Sequence, residues 1–233
     1  MAPLFALIHS PLVGPTTWQP IAGILQQRGI DAIVPTLHDA GSDQPFWQQH
    51  AESAARALTD VPVNRPLVLV GHSGAGTLLP HIRQRLPHPV AAYLFVDAGL
   101  PLDGISRLGE MEATGSAFGA QLRTLLEAGG RYPEWTDEML RPISPDDDLR
   151  RGIIAEMHPR GLDFFTEPFP RLPDWPDAPC ACIQFTSSYD LAIAEARRRG
   201  WPVRTFDTAG HFHMLVDPEG VTDALLALCP ATE

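Results

Sequence analysis

A serine follows directly on a short apolar run within residues 67–76, which read Leu-Val-Leu-Val-Gly-His-Ser-Gly-Ala-Gly. This run predicts a buried strand that turns into a helix within a few residues. At such a turn only small residues fit two positions before and after the central one, and Gly71 and Ala75 meet that requirement. The turn would lift the Ser73 hydroxyl clear of the sheet and leave the amide of Gly74 at a helix N-terminus, facing a developing anion. Ser73 is therefore a candidate nucleophile, and Gly74 is a candidate donor to the oxygen that becomes negative.

Two further polar residues follow predicted strands later in the chain. Asp190 comes shortly after the apolar run at 180–185, and His211 comes shortly after the last run at 203–206. In open parallel sheets the functional side chains gather at the carboxyl ends of the strands. A serine hydroxyl needs an imidazole to accept its proton, and a carboxylate can orient that imidazole. These residues therefore predict a relay in which His211 is the base and Asp190 orients it.

The elements that would position these residues alternate along the chain. Apolar runs of strand length predict strands at 5–8, 32–34, 67–70, 91–96, 180–185 and 203–206, and helical periodicity predicts helices at 18–28, 46–58, 77–86, 192–199 and 221–228. This alternation is typical of an α/β protein with a mostly parallel sheet and helices on both faces. Residues 1–100 and 180–233 would form this core.

The alternation stops between residues 101 and 179, where prolines are frequent. A segment of this length is too long for a bare loop in a compact domain, so it predicts an inserted helical cap. Short helices are expected there at 117–126, 136–140 and 148–158.

The chain resembles the α/β-hydrolase superfamily across its whole sheet portion. The resemblance rests on His9-Ser10-Pro11 after the first strand, the turn around Ser73, Asp190 after a late strand, and Gly210-His211 followed by Pro218 and a final helix. It implies an α/β-hydrolase fold without the early hairpin, and a Ser73, Asp190 and His211 triad that acts on a carbonyl substrate. We expect a serine hydrolase that cleaves a small carboxylic ester, thioester or lactone through an acyl-serine intermediate and needs no cofactor.

Both partners of Ser73 have rivals. Asp97 ends the fourth predicted strand, a position that some superfamily members use for the acid, but an acid after the next strand is the commoner arrangement and favours Asp190. His213 lies two residues beyond His211, and the family pattern favours the histidine directly after glycine. His72, beside the serine, is interpreted as a packed neighbour.

The loop after the first strand departs from the family pattern. By resemblance, the second N–H of the oxyanion hole belongs to the residue two past His9, and Pro11 has no N–H. Loss of one such donor costs on the order of a hundredfold in rate, so we expect the N–H of Leu12 or the hydroxyl of Ser10 to replace it. An equally favoured interpretation of Ser10 is a cap for the helix that follows.

An altered oxyanion hole also favours a second function class. This alternative is a non-hydrolytic member of the superfamily, such as a ligand-binding protein or a cyclase- or lyase-type pathway enzyme. The hydroxynitrile lyases of the superfamily need a lysine, and all 17 basic residues here are arginine, which argues against cyanohydrin chemistry.

Composition excludes several kinds of partner. The net charge of −11 and the lack of a basic stripe argue against nucleic acid. The N-terminus has no charged leader and no apolar run long enough for a membrane, and the three cysteines are an odd number without metal-ligand spacing, so a cytoplasmic protein is expected. The acidic clusters at 146–148 and at Glu110 and Glu112 are interpreted as helix starts and solvated surface, so no metal site is assigned.

The predicted cap gives a hint about the substrate. It carries much of the aromatic surface, namely Phe118, Tyr132, Trp135, Phe164, Phe165, Phe169 and Trp175. We therefore expect a small-molecule substrate with an apolar or aromatic group, although packing within the cap explains the same residues equally well. The sequence leaves the oligomeric state open.

Overall fold

Six strands form one parallel sheet in the computed structural model, which describes residues 1–41, 43–101, 104–115, 117–144 and 146–230. The strands are β1 (Leu4–Ile8), β2 (Ala32–Ile33), β3 (Leu67–His72), β4 (Val90–Val96), β5 (Cys180–Gln184) and β6 (Val203–Thr205). Their order across the sheet is β2-β1-β3-β4-β5-β6, and every neighbouring pair is parallel. All carboxyl ends therefore lie along the same edge.

Helices connect the strands, as parallel pairing requires. They are α1 (Gln19–Gln27), α2 (Phe46–Arg56), α3 (Leu79–Arg83), α4 (Arg107–Ala113), α5 (Ala117–Glu127), α6 (Asp137–Leu140), α7 (Asp147–Ala155), α8 (Leu162–Thr166), α9 (Asp190–Arg198), α10 (His213–Val216) and α11 (Pro218–Leu228). Five of them, α4 to α8, lie between β4 and β5.

Apolar side chains cover both faces of the sheet because successive strand residues point to opposite sides. In β1, Leu4 and Ile8 pack on one face with residues of α2, α3 and α9, whereas Phe5 and Leu7 pack on the other face with residues of α1 and α11. A third cluster joins buried residues of α4, α5 and α8 away from the sheet. This double layer holds the strand ends in fixed positions.

The structure confirms the α/β fold with a parallel sheet and helices on both faces. It corrects the helix predicted at 77–86, because tight 3-10 turns occupy Ser73–Leu78 and the α-helix begins only at Leu79. The helices α4, α8 and α10 were not predicted. The division into core and cap stays a prediction, although the described residues between β4 and β5 add no strand to the sheet.

Within the described residues, no helix has both the length and the apolar character that crossing a bilayer requires.

Candidate active site

Ser73 lies on a sharp turn at the carboxyl end of β3. Its φ is 57°, in the left-handed region that a side-chain-bearing residue adopts only at a cost of about 1–3 kcal/mol. A Cβ on Gly71 would lie 3.0 Å from the carbonyl oxygen of Ala75, and a Cβ on Gly76 would lie 2.2 Å from that of Gly99. Close backbone approach therefore requires the small residues around Ser73, as the sequence predicted.

The imidazole of His211 is held by Asp97. His211 lies in the loop between β6 and α10, and its Nδ1 is 2.7 Å from Oδ2 of Asp97. Asp97 directly follows β4, is fully buried and has a φ of 41°. Because Nδ1 faces a carboxylate, it carries the proton, and Nε2 is left as the basic nitrogen of the ring.

Asp97 is itself fixed by the loop that follows β5. Its Oδ1 accepts the backbone N–H groups of Phe185 (2.9 Å) and Thr186 (2.8 Å), and its Oδ2 accepts the Thr186 hydroxyl (2.9 Å). These three hydrogen bonds fix the orientation of the Asp97 carboxylate toward His211.

The prediction that Asp190 orients the imidazole is wrong. Asp190 begins α9, is exposed, and its Oδ1 accepts a hydrogen bond from Nε2 of Gln184 at 2.7 Å. The two N–H groups at the end of β5 point toward the neighbouring strand β4, so they select Asp97 instead. The rival acid of the sequence analysis is therefore the one that meets His211.

Tyr189 contacts both Ser73 and His211. The Ser73 hydroxyl lies 3.1 Å from the Tyr189 hydroxyl, and the Tyr189 ring stacks on the His211 ring with centroids 5.7 Å apart. Burial raises the pKa of Tyr189, which keeps this hydroxyl neutral. In the described part of the chain, Ser73 makes no direct hydrogen bond to His211. The sequence analysis did not identify Tyr189, which no local motif marks.

The other histidines near the site have structural contacts. His72 is fully buried, burial keeps its pKa well below the usual value, and its Nε2 bonds the carbonyl oxygen of His211 at 2.9 Å. The His213 ring packs against Phe185 and Phe206. His72 therefore supports the His211 backbone, which agrees with its interpretation as a packed neighbour, and the rival base His213 contacts other rings.

The loop after β1 forms the opposite wall of the site. Ser10 is buried, and its Oγ accepts the N–H of Leu12 at a long distance of 3.4 Å. Two groups were expected to replace the donor missing at Pro11, the N–H of Leu12 or the hydroxyl of Ser10. The N–H of Leu12 thus already has a partner, and that partner is the Ser10 hydroxyl. Ser10, Pro11, Leu12 and Gly74 all line the cavity that contains Ser73 and His211.

Comparison with known proteins identifies the family of the chain. The family model described as "Alpha/beta hydrolase family" matches residues 6–224. The chain belongs to the alpha/beta hydrolase family. Methylesterase 1 of Arabidopsis thaliana is 24% identical to this hydrolase-family chain, over 96% of this chain and 95% of that protein.

Solved structures give the same fold for this family member. An extracellular α/β-hydrolase from a Paenibacillus species superposes with a TM-score of 0.76 at 17% identity, and a variant of polyneuridine aldehyde esterase superposes with 0.74 at 18%. Each comparison covers 97% of this chain and 99% of the other. At these identities the likeness shows the fold alone.

In this α/β-hydrolase the cavity beside Ser73 has a volume of about 480 Å³ and a mostly apolar wall. The aromatic residues that line it are Phe118, Tyr132, Trp135, Phe164, Phe165, Tyr189 and Phe212. Among the aromatic residues of the predicted cap, Phe169 and Trp175 instead pack in the sheet core. The cavity is large enough for a drug-sized organic molecule.

Two charged side chains, Arg107 and Glu110, interrupt the apolar wall. Both belong to α4. Burial raises the pKa of Glu110 to about 7, so the interpretation of this glutamate as solvated surface is wrong. In the other acidic cluster, Asp146 does cap α7, accepting the N–H groups of Asp148 and Leu149. Among the described residues, no group of three histidine, cysteine, aspartate or glutamate side chains is close enough to hold a metal ion.

Proposed function

We propose that this protein hydrolyses a small carboxylic ester, with Ser73 as nucleophile, His211 as general base and Asp97 as the residue that orients His211. The observation that carries the proposal is the 2.7 Å hydrogen bond between His211 and the buried Asp97 in a cavity that also contains Ser73. The relatedness to a protein named a methylesterase supports a methyl ester as the substrate class.

The reaction begins when Ser73 exchanges its hydrogen bond to Tyr189 for one to Nε2 of His211. Hydrogen bonds of this kind are often long or misaligned without substrate and tighten when substrate binds. The serine oxygen then bonds to the carbonyl carbon, its proton passes to His211, and the carbonyl electron pair moves onto oxygen. The N–H of Gly74 donates to that oxygen.

Collapse of this intermediate breaks the bond to the leaving alcohol. His211 returns the proton to the departing oxygen, which leaves an acyl group on Ser73. Water then attacks the acyl carbon and gives a proton to His211. The bond between the acyl carbon and the Ser73 oxygen breaks as His211 passes that proton to the serine oxygen, which releases the carboxylic acid and restores free Ser73. Asp97 stabilises the imidazolium in both steps.

The mostly apolar cavity favours an ester whose acyl group is apolar or aromatic. The cavity is large enough to bury most of the surface of a drug-sized molecule. Thioesters and lactones share the same carbonyl chemistry and belong to the same proposal.

A panel of chromogenic and methyl esters with acyl groups of graded size tests the proposal. We expect turnover by the wild-type protein that rises with apolar acyl size up to the capacity of the cavity, and none above background with Ser73→Ala. Retained binding of the same esters without turnover by the wild-type protein would instead support the non-hydrolytic alternative. Equal turnover by Ser73→Ala would reject the acyl-serine mechanism.

A further inference from the structure

Arg107 is a buried cation with half of its hydrogen-bonding edge unused. It is 5% exposed, and its Nη1 donates to Glu167 (2.7 Å) and to the carbonyl oxygen of Phe164 (3.3 Å). Its Nε and Nη2 are buried and have no partner. A buried donor without a partner destabilises the folded protein, and more so when it is charged, so these two groups call for a functional explanation.

The unused edge lies beside the candidate oxyanion hole. A Cβ built on Gly74 would lie 3.9 Å from Nε of Arg107, 3.9 Å from Oγ of Ser10 and 3.7 Å from Cδ of Pro11. The Cδ of a proline takes the place of the amide hydrogen of other residues. The Cδ of Pro11, which occupies the place of an amide hydrogen, and the free Nε of Arg107 therefore both lie within 4 Å of the same point beside Gly74.

The guanidinium group is held rigidly in that position. It stacks on the rings of Phe164 and Phe169, with its central carbon 4.1 and 4.6 Å from their centroids. Its ionic partner Glu167 also accepts the backbone N–H groups at the start of α2, those of Phe46 (2.8 Å) and Trp47 (3.0 Å). A charged donor fixed before the reaction stabilises a developing oxyanion without a cost of reorganisation.

We propose that Arg107 donates the second hydrogen bond to the carbonyl oxygen of the substrate and so replaces the backbone N–H that Pro11 lacks. The proposal rests on the ester hydrolysis proposed above. Arg107 stays protonated throughout, because the proton of Ser73 moves only to His211 and then to the leaving alcohol. The arginine contributes charge and a donor, and no bond to it forms or breaks.

Four variants test this role on the ester that the wild-type protein cleaves fastest. Arg107→Met should lower kcat by about 100-fold with little change in KM, the effect of removing one oxyanion donor. Pro11→Ala restores a backbone N–H, so the double variant Pro11→Ala/Arg107→Met should recover at least about tenfold of that loss. In the presence of Arg107, Pro11→Ala alone should raise kcat by a much smaller factor. The matched control Arg150→Met removes an arginine that is equally buried but does not line the cavity, and it should retain most of kcat.

A second measurement separates this role from a structural one. The Ser73 hydroxyl adds to the carbonyl of a trifluoromethyl ketone and forms an oxyanion that resembles the intermediate of ester hydrolysis. The affinity of the protein for this ketone should fall in Arg107→Met in parallel with kcat/KM. If Arg107→Met does not fold, as judged by its urea midpoint, Arg107→Lys with and without Pro11→Ala serves in its place. Lysine keeps the charge but not the Nε donor, so the same recovery is expected.

Three results would overturn the assignment. The first is an unchanged kcat in Arg107→Met, and the second is a loss that Pro11→Ala does not recover. The third is a rise in KM that occurs only with esters that also carry a free carboxylate, which would show that Arg107 binds that carboxylate instead. If the wild-type protein cleaves no ester, the proposed function fails and this inference fails with it. Turnover that depends on Ser73 but not on Arg107 overturns this inference only.

Discussion

At the scale of single residues, the acid of the candidate site is decided by backbone N–H groups rather than by position along the chain. Asp97 receives three hydrogen bonds from Phe185 and Thr186 before it meets His211. Asp190 lies in the same region but points to Gln184. Asp97 and Asp190 both follow strands, but only the carboxylate of Asp97 is oriented toward His211.

The exchange of either acid for its amide should distinguish them. Asp97→Asn presents an NH2 group or a weaker acceptor to His211 and favours the wrong tautomer, so kcat should fall by about 10³- to 10⁴-fold. Asp190→Asn, the matched control, should retain kcat within about threefold, since it only alters a contact with Gln184. Steady-state kinetics on one ester checks both. A larger loss in Asp190→Asn than in Asp97→Asn would contradict the assignment.

Ser73 and His211 could be predicted because each lies in a local pattern, a serine between small residues and a histidine after glycine. The acid could not, because the choice between Asp97 and Asp190 depends on how β4 and β5 lie side by side. Tyr189, Arg107 and Glu110 were missed for a similar reason. Each of these side chains lines the cavity because of the position of the whole helix or loop that carries it, and no short sequence motif predicts that position.

At the scale of elements, the turn after β3 depends on close packing against the loop after β4. The Cα of Gly76 lies so near the carbonyl of Gly99 that a methyl group would overlap with it. The 3-10 turns at Ser73–Leu78 replace the expected first turn of a helix. Ser73 is thus positioned by backbone contact between the segments that follow two strands.

Gly76→Ala should destabilise the protein strongly. Its Cβ would lie 2.2 Å from the Gly99 carbonyl oxygen, and forcing the two apart should cost about 1–3 kcal/mol or more. The matched control is Gly23→Ala in α1, where nothing lies within 4 Å of the added Cβ, and which should stabilise the helix by about 0.5–1 kcal/mol. Urea unfolding followed by circular dichroism measures both. Equal stability of the two variants would contradict this account of the turn.

The elements themselves were predictable to different degrees. All six strands were found in the sequence. The inner strands β1, β3, β4 and β5 are largely apolar because helices cover them on both faces, whereas the edge strand β6 carries Arg204 and Thr205. The helices α4, α8 and α10 were not predicted. The α4 segment contains Gly109, and its start is marked only by Ser106, whose side chain accepts the Gly109 N–H at 3.1 Å.

At the scale of the whole molecule, several histidines are buried as neutral rings on both faces of the sheet. Burial lowers the pKa of His9 and of His81 to about 4, and it also holds the pKa of His72 well below the usual value. Unfolding exposes these rings to water, where their pKa is near 6.5. Below that pH the unfolded chain binds protons that the native protein does not, so the native state loses stability as the pH falls.

His81 offers a direct test of this pH dependence. Its ring packs between Trp47 and Phe169, so His81→Phe keeps an aromatic ring and removes the titration. A pKa of about 4 against 6.5 corresponds to roughly 3 kcal/mol, lost progressively between pH 6.5 and 4. The free energy of unfolding should therefore fall less steeply in His81→Phe than in wild type over that range. Parallel curves would show that His81 does not titrate as described.

Trapping of the covalent intermediate would show whether Ser73 is the nucleophile. The wild-type protein is mixed with a chromogenic ester, quenched in acid within the first turnover, and examined by intact and peptide mass spectrometry. We expect one acyl group per chain, located on Ser73, formed far more slowly in Asp97→Asn and absent from Ser73→Ala. An acyl group on another residue, or ester turnover that survives in Ser73→Ala, would rule out Ser73 as the nucleophile.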